Sequence, residues 1–138
     1  TTLLLEAGNW RPIPIRRTRK ALGLGTEASY RFERDVDPLS TLPAIRRFVD
    51  LLRGELPDVV VSAPTDFARA PREVRPIALR MSRVVRLLGM EVGEAEARGY
   101  LERLGMAVTG DGEPFVVTPP TWRPDLVRED DLVEEVGR

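Results

Sequence analysis

Apolar positions along this chain come in short runs broken by proline, glycine and charge, and their spacing predicts alternating helices and short strands. "TLLL", ending at Leu5, predicts a short buried strand. "PIPIRRTRKALGLG" predicts a helix, with proline near its start and Gly23 just past its end. "TEASYRFERDVDP" has no period of either kind and is expected to be irregular. Asp37 and Pro38 read as a cap and a first-turn proline. The helix they open would carry Leu42, Ile45, Phe48, Val49 and Leu52 on one face and stop at Gly54. Pro43 inside that helix removes a backbone hydrogen bond, so a start at Ser40 or Thr41 is the alternative. "DVVVSA" then predicts a strand.

The periodicity lapses at "APTDFARAPREVRP", where three prolines predict a linker or long loop between Pro64 and Pro76. Beyond it the plan is clearer. "RPIALR" predicts a strand, and Ser82 is expected to cap a helix carrying Val84, Val85, Leu87 and Leu88 up to Gly89. A second helix, about Gly93 to Leu104, presents Ala97, Tyr100, Leu101 and Leu104 before Gly105. "MAVTGDGEPFVVTP" predicts a hairpin turning at Gly110-Asp111-Gly112, and a last helix starts near Arg128. The expected class is α+β, with the second half winged-helix-like.

With 138 residues the chain makes one ordinary domain or two small ones. It opens on Thr1 rather than Met, which suggests a piece of something longer. Cysteine and histidine are both absent, which excludes disulfides, Cys/His zinc sites, thiol nucleophiles and a Ser-His-Asp triad. A chain without oxidative staples fits the cytosol, hence a cytoplasmic location. The net charge of −1 carries no overall nucleic-acid signature. Residues 1–71 hold 11 basic and 9 acidic groups, whereas residues 72–138 hold 10 and 13, so the second half is the acidic one.

Two constellations carry candidate chemistry. Arg80, Arg83 and Arg86 recur every third residue on the first helix of the second half, as a row that could meet phosphates. The competing reading is a solvated face paired with Glu91 or Glu94, and the following helix bears Glu94, Glu96 and Glu102, which a groove-entering helix should not present to phosphates. The second constellation is the run from Asp125 to Glu135, with six carboxylates in eleven residues. Asp131, Glu134 and Glu135 share a helical face, and a turn at Pro124 would fold Asp125 over it. Acids in the first turn complement the helix dipole, but Glu134 and Glu135 lie beyond it. Hard cations such as Mg2+ take oxygen ligands of this kind. Spacing alone favours the other reading, a face paired with Arg123, Arg128 or Arg138.

"PPTWRPDLVREDDLVEEVGR" resembles a segment of the beta subunit of bacterial phenylalanyl-tRNA synthetase: a proline-rich entry, Trp-Arg, a residue, Asp, then an acidic helix ending Asp-Leu-x-Glu-Glu-Val. "IRRTRKALGLGTEASYRFERDVDP" resembles a second signature of the same family. Together they span nearly the whole chain. The resemblance implies that residues 1–70 are the C-terminal part of the editing domain (the family's third and fourth domains) and that residues 71–138 are its winged-helix-like fifth domain. It also implies Mg2+ shared with an alpha subunit, on Asp125, Asp131, Glu134 and Glu135, within an alpha2-beta2 heterotetramer that attaches phenylalanine to tRNA using ATP.

In that reading the chain is a structural and interface module without an active site of its own; the alternative is an autonomous nucleic-acid-binding winged helix. Two departures from the family stand out. The expected Arg-Gly-Val-Asp-Pro is here Arg34-Asp35-Val36-Asp37-Pro38, which places Asp where a positive φ is expected. "LLEAGNW" also differs from the family's usual form, close to where part of the editing pocket would lie, and no editing activity is expected of this chain.

Overall fold

The computed structural model describes residues 2–67 and 73–138. Cα packing divides the chain into two units, residues 1–72 and 73–138. The apolar core belongs to the second. Among the described residues, every buried apolar side chain lies between Ile77 and Val136.

The first unit is helical. Helix α1 spans Pro12–Leu22 and closes on Gly23 at φ 63°, the left-handed conformation that glycine adopts without penalty. Helix α2, Glu27–Phe32, forms where irregular backbone was expected. Its cause is local: Thr26 Oγ1 accepts from Ser29 N at 3.1 Å, while Ser29 Oγ accepts from Thr26 N at 2.9 Å. This reciprocal cap stands in for the missing apolar period. The Asp37 carboxylate accepts from Leu39 N at 2.9 Å and opens a 3-10 turn over Pro38–Ser40. Helix α3 follows over Thr41–Glu55, so the later of the two expected starts is the one adopted. Pro43 then falls in the first turn, where its missing N–H would have had no partner inside the helix. Asp35 has φ 69°, the left-handed conformation inferred from its place opposite a family glycine.

Neither strand expected of this unit forms. No residue of "TLLL" or "DVVVSA" is paired, and Leu4 and Val60 are 98% and 95% exposed. A strand needs a neighbour to satisfy its backbone and cover its side chains, and the described part of this unit contains none. The expected linker lies partly outside the described residues; 63–67 and 73–76 have no regular structure.

The second unit is α+β. Strand β1 (Ile77–Leu79) leads into α4 (Met81–Leu88) and α5 (Glu94–Arg103). The hairpin strands β2 (Ala107–Thr109) and β3 (Phe115–Thr118) follow, and α6 (Glu129–Gly137) ends the unit. The sheet is antiparallel in the order β1-β3-β2, with Ala78 opposite Val116 and Val108 opposite Val117. Leu79, Val84, Ala97, Leu101, Phe115, Val117 and Leu132 pack into one fully buried cluster. Leu104, expected on the inner face of α5, is instead 42% exposed, because that helix ends at Arg103.

Helix α4 ends on Gly89 at φ 70°, as its apolar run predicts. Its cap is not Ser82. The capping residue is Arg80, and Ser82 lies inside the first turn, donating its N–H to Glu113 Oε1 at 3.0 Å. A side chain from the hairpin thus satisfies one of the orphan N–H donors of the first turn, that of Ser82 itself. Helix α6 packs against α4, α5 and β1. Its Gly137 sits so close to α4 that an added Cβ would lie 2.6 Å from Leu88 Cδ2.

Candidate acidic site on the last helix

Leu132, Val133, Glu135 and Val136 make the buried face of α6, so one carboxylate travels inward with the apolar residues. Glu135 is 8% exposed. A carboxylate so placed needs a charged partner, and Arg123 supplies it. Arg123 Nη1 donates to Glu135 Oε2 at 3.0 Å and Nη2 to Glu135 Oε1 at 2.8 Å, a two-pronged pair. The same guanidinium reaches its near neighbour Asp125, Nε to Oδ1 at 3.0 Å and Nη2 to Oδ2 at 2.6 Å. One arginine therefore ties the Trp-Arg-Pro-Asp loop to the last helix.

The electrostatic consequences follow from that arrangement. The Arg123 hydrogen bonds hold both Asp125 and Glu135 below the ordinary carboxylate range, more than offsetting the opposing effect of burial. The hydrogen bonds that Arg123 donates to those two carboxylates raise its own guanidinium in turn.

The other two expected ligands have separate tasks. Asp131 Oδ2 accepts from Val127 N at 2.9 Å and Arg128 N at 2.7 Å, satisfying donors at the start of α6. Glu134 faces outward and pairs with Arg138 at 2.9 Å. Arg138 also approaches Glu135 Oε1, at 3.6 Å. The structure thus brings Asp125 and Glu135 together around Arg123, while Asp131 serves as a cap and Glu134 stands at the surface. The donor chemistry, four hard carboxylate groups, suits Mg2+. Their arrangement in this chain alone is ion-paired: among the described residues no group of three or more acidic side chains is placed to hold a metal ion.

The arginine row has a structural role as well. Arg80 donates its backbone N–H to Glu129 Oε1 at 2.9 Å, and its Nη2 meets Glu129 Oε2 at 2.6 Å. Those bonds hold Glu129 below its ordinary value. Arg83 Nε donates to Asp130 Oδ1 at 2.8 Å and Nη2 to Oδ2 at 2.9 Å. Two of the three arginines therefore hold α4 against the first turn of α6. Their partners are not Glu91 or Glu94, which are near in sequence; Glu94 pairs with Arg98 one turn along its own helix, at 2.8 Å. The Arg80–Glu129 and Arg83–Asp130 pairs span 49 and 47 residues, a separation no local spacing announces.

Two family models match parts of this chain. The model of the B3/4 domain matches residues 1–54, and that of the tRNA synthetase B5 domain matches residues 77–138. The phenylalanine–tRNA ligase beta subunit of Cereibacter sphaeroides is 45% identical over 143 residues, covering 100% of this chain and 16% of that protein. Its counterpart from Deinococcus radiodurans is 43% identical over 138 residues, covering 99% of this chain and 16% of that protein. The Corynebacterium diphtheriae subunit is 42% identical, again over 100% of the chain and 16% of the relative. The chain spans about one sixth of the length of these relatives. The alternative of an autonomous nucleic-acid-binding module gives way to these matches, and to the pairing of Arg80 and Arg83 with α6. The chain belongs to the phenylalanine–tRNA ligase beta-subunit family, matching the stretch that runs from a B3/4 domain into a tRNA synthetase B5 domain.

Proposed function

We propose that this chain serves as a structural and interface module of a phenylalanine–tRNA ligase, the enzyme that attaches phenylalanine to its tRNA using ATP. The observation that carries the reading is the match to beta subunits of that name along the entire chain. In this reading residues 1–70 complete an editing domain whose pocket lies mostly elsewhere, and residues 71–138 form a winged-helix-like fifth domain. The partners are an alpha subunit, in an alpha2-beta2 heterotetramer, and tRNA in the cytoplasm. The near absence of a buried core in residues 2–67 supports a segment built to pack on more of the same protein.

The same proposal gives Asp125, Asp131, Glu134 and Glu135 to a Mg2+ at the boundary with the alpha subunit. Support comes from their oxygen chemistry and from Glu134, whose side chain is 64% exposed at the surface. The cation would supply positive charge that joins carboxylates across two chains. Arg123 provides that charge within this chain and would compete with a metal for Asp125 and Glu135. Glu134→Gln leaves the Arg123 pair intact and isolates the surface ligand. In a beta subunit carrying this segment, Glu134→Gln is expected to raise the Mg2+ concentration needed for assembly with the alpha subunit. Assembly unchanged across a Mg2+ titration would remove the metal role while leaving the interface role standing.

A further inference from the structure

The basic run of α1 is not absorbed by the acidic site. Arg16, Arg19, Lys20, Gly23, Gly25 and Glu33 line an open cleft of about 600 Å3 in the first unit. Its floor is organised by Glu33, a carboxylate only 8% exposed. Arg19 Nη1 donates to both Glu33 oxygens, at 2.9 and 3.0 Å, and Arg34 Nη1 to Oε1 at 3.1 Å. Arg16 Nη2 reaches the Glu33 carbonyl at 3.3 Å.

The buried Glu33 carboxylate therefore orients two arginines, Arg19 in the cleft and Arg34 beside it, while Arg16 rests on the Glu33 backbone carbonyl. Its capacity is taken by Arg19 and Arg34, which leaves the charge of Arg16 and Lys20 in excess at the cleft. The helix dipole accounts for cations in the last turn, Arg19 and Lys20, but not for Arg16 one turn earlier. A guanidinium fixed by a buried carboxylate is pre-oriented, so little side-chain freedom is lost when it meets a further anion. The glycines keep the wall low: nothing lies within 4 Å of the Cβ that Gly23 lacks, and at Gly25 the nearest atom is Arg19 Nη2 at 3.7 Å.

We infer that this cleft binds a phosphate group, either a phosphodiester of an RNA strand or free phosphate, through Arg16, Arg19 and Lys20. The site lies on α1 and does not depend on α6 or on the ligase reading.

The test uses the whole chain, with anisotropy of a labelled 12-nucleotide RNA over a salt series and competition by inorganic phosphate. Arg16→Ala and Lys20→Ala are each expected to weaken RNA binding about tenfold and to lower the salt slope by about 0.7. Both residues are exposed on α1, and Arg16→Lys should restore most of the loss. Arg53→Ala, which removes an exposed cation of α3 that does not line the cleft, should change binding less than about twofold. Displacement of RNA by millimolar phosphate assigns the site to phosphate from either source; binding of RNA without such displacement assigns it to the phosphodiester. Absence of saturable binding of both ligands at low salt would overturn the inference, as would equal losses in Arg53→Ala and the cleft variants.

Discussion

Replacing Arg123 by alanine removes the cation that is hydrogen-bonded to both Asp125 and Glu135. The Glu135 side chain is 7% exposed and cannot recover solvent without moving α6, whereas that of Asp125 is 59% exposed and can. Removing one member of a fully buried pair costs about 3–5 kcal/mol, and an exposed pair contributes about 0–1 kcal/mol. Arg123 is itself 23% exposed and Arg138 still lies 3.6 Å from Glu135, which places the Glu135 loss below the buried range. The expected loss for the second unit is about 2–3 kcal/mol. At about 4–8 °C per kcal/mol for a domain of this size, the midpoint should fall by roughly 10–20 °C. Urea and thermal unfolding followed by Trp122 fluorescence reads it, in a Trp10→Phe background where Trp122 alone reports. Arg123→Met with Glu135→Met, which removes both charges together, should recover at least about 1 kcal/mol of the loss. A loss below about 0.5 kcal/mol in Arg123→Ala would refute the claim that this pair anchors α6.

Acid should act through the same contacts. Asp125, Glu129 and Glu135 sit below their ordinary values of 3.8, 4.5 and 4.5, so the unfolded chain binds the extra protons first. Their contribution is fully present above those values and is lost as pH falls through the lower folded ones, and Arg123→Ala should flatten that acid limb in urea melts taken between pH 6 and 2. Gly137→Ala gains about 1 kcal/mol of helix propensity but forces a methyl against Leu88, and a net loss of about 1 kcal/mol is expected by thermal melting; a stabilised protein would show that Leu88 yields freely. At Asp35, alanine should be about 1 kcal/mol less stable than glycine in matched urea melts, because both remove the carboxylate and only alanine pays for the positive φ.

The parts of the fold legible in the sequence were those set by local rules. Gly23 and Gly89 marked helix ends because a left-handed residue is needed there, and Gly110 to Gly112 marked the hairpin turn for the same reason. The two absent strands show the limit of that reading. "TLLL" and "DVVVSA" have strand-like composition, but a strand exists only with a neighbour, and the described part of the first unit supplies none. Helix α2 escaped notice because two hydroxyl side chains hold it rather than an apolar face. At the acidic site, sequence spacing put Asp131, Glu134 and Glu135 on one short helix, as observed, but the single face expected of them splits, with Glu134 exposed and Glu135 buried. It did not show that Glu135 would turn inward, nor that Arg80 and Arg83 would bind the first turn of α6 across more than forty residues. Arg123 was visible as a possible partner; its grip on two carboxylates at once depends on the Pro124 turn and the packing of Leu126.

The most direct test of the central claim is exchange of this segment into a relative. Residues 1–138 would replace the matching stretch of the Deinococcus radiodurans beta subunit, which is 43% identical over 138 residues. The measurement is attachment of labelled phenylalanine to tRNA by the chimera with its alpha subunit. Retained assembly and attachment, both diminished when Arg123→Ala is added, is the predicted result. A chimera whose beta subunit folds but neither joins the alpha subunit nor supports attachment would contradict the account.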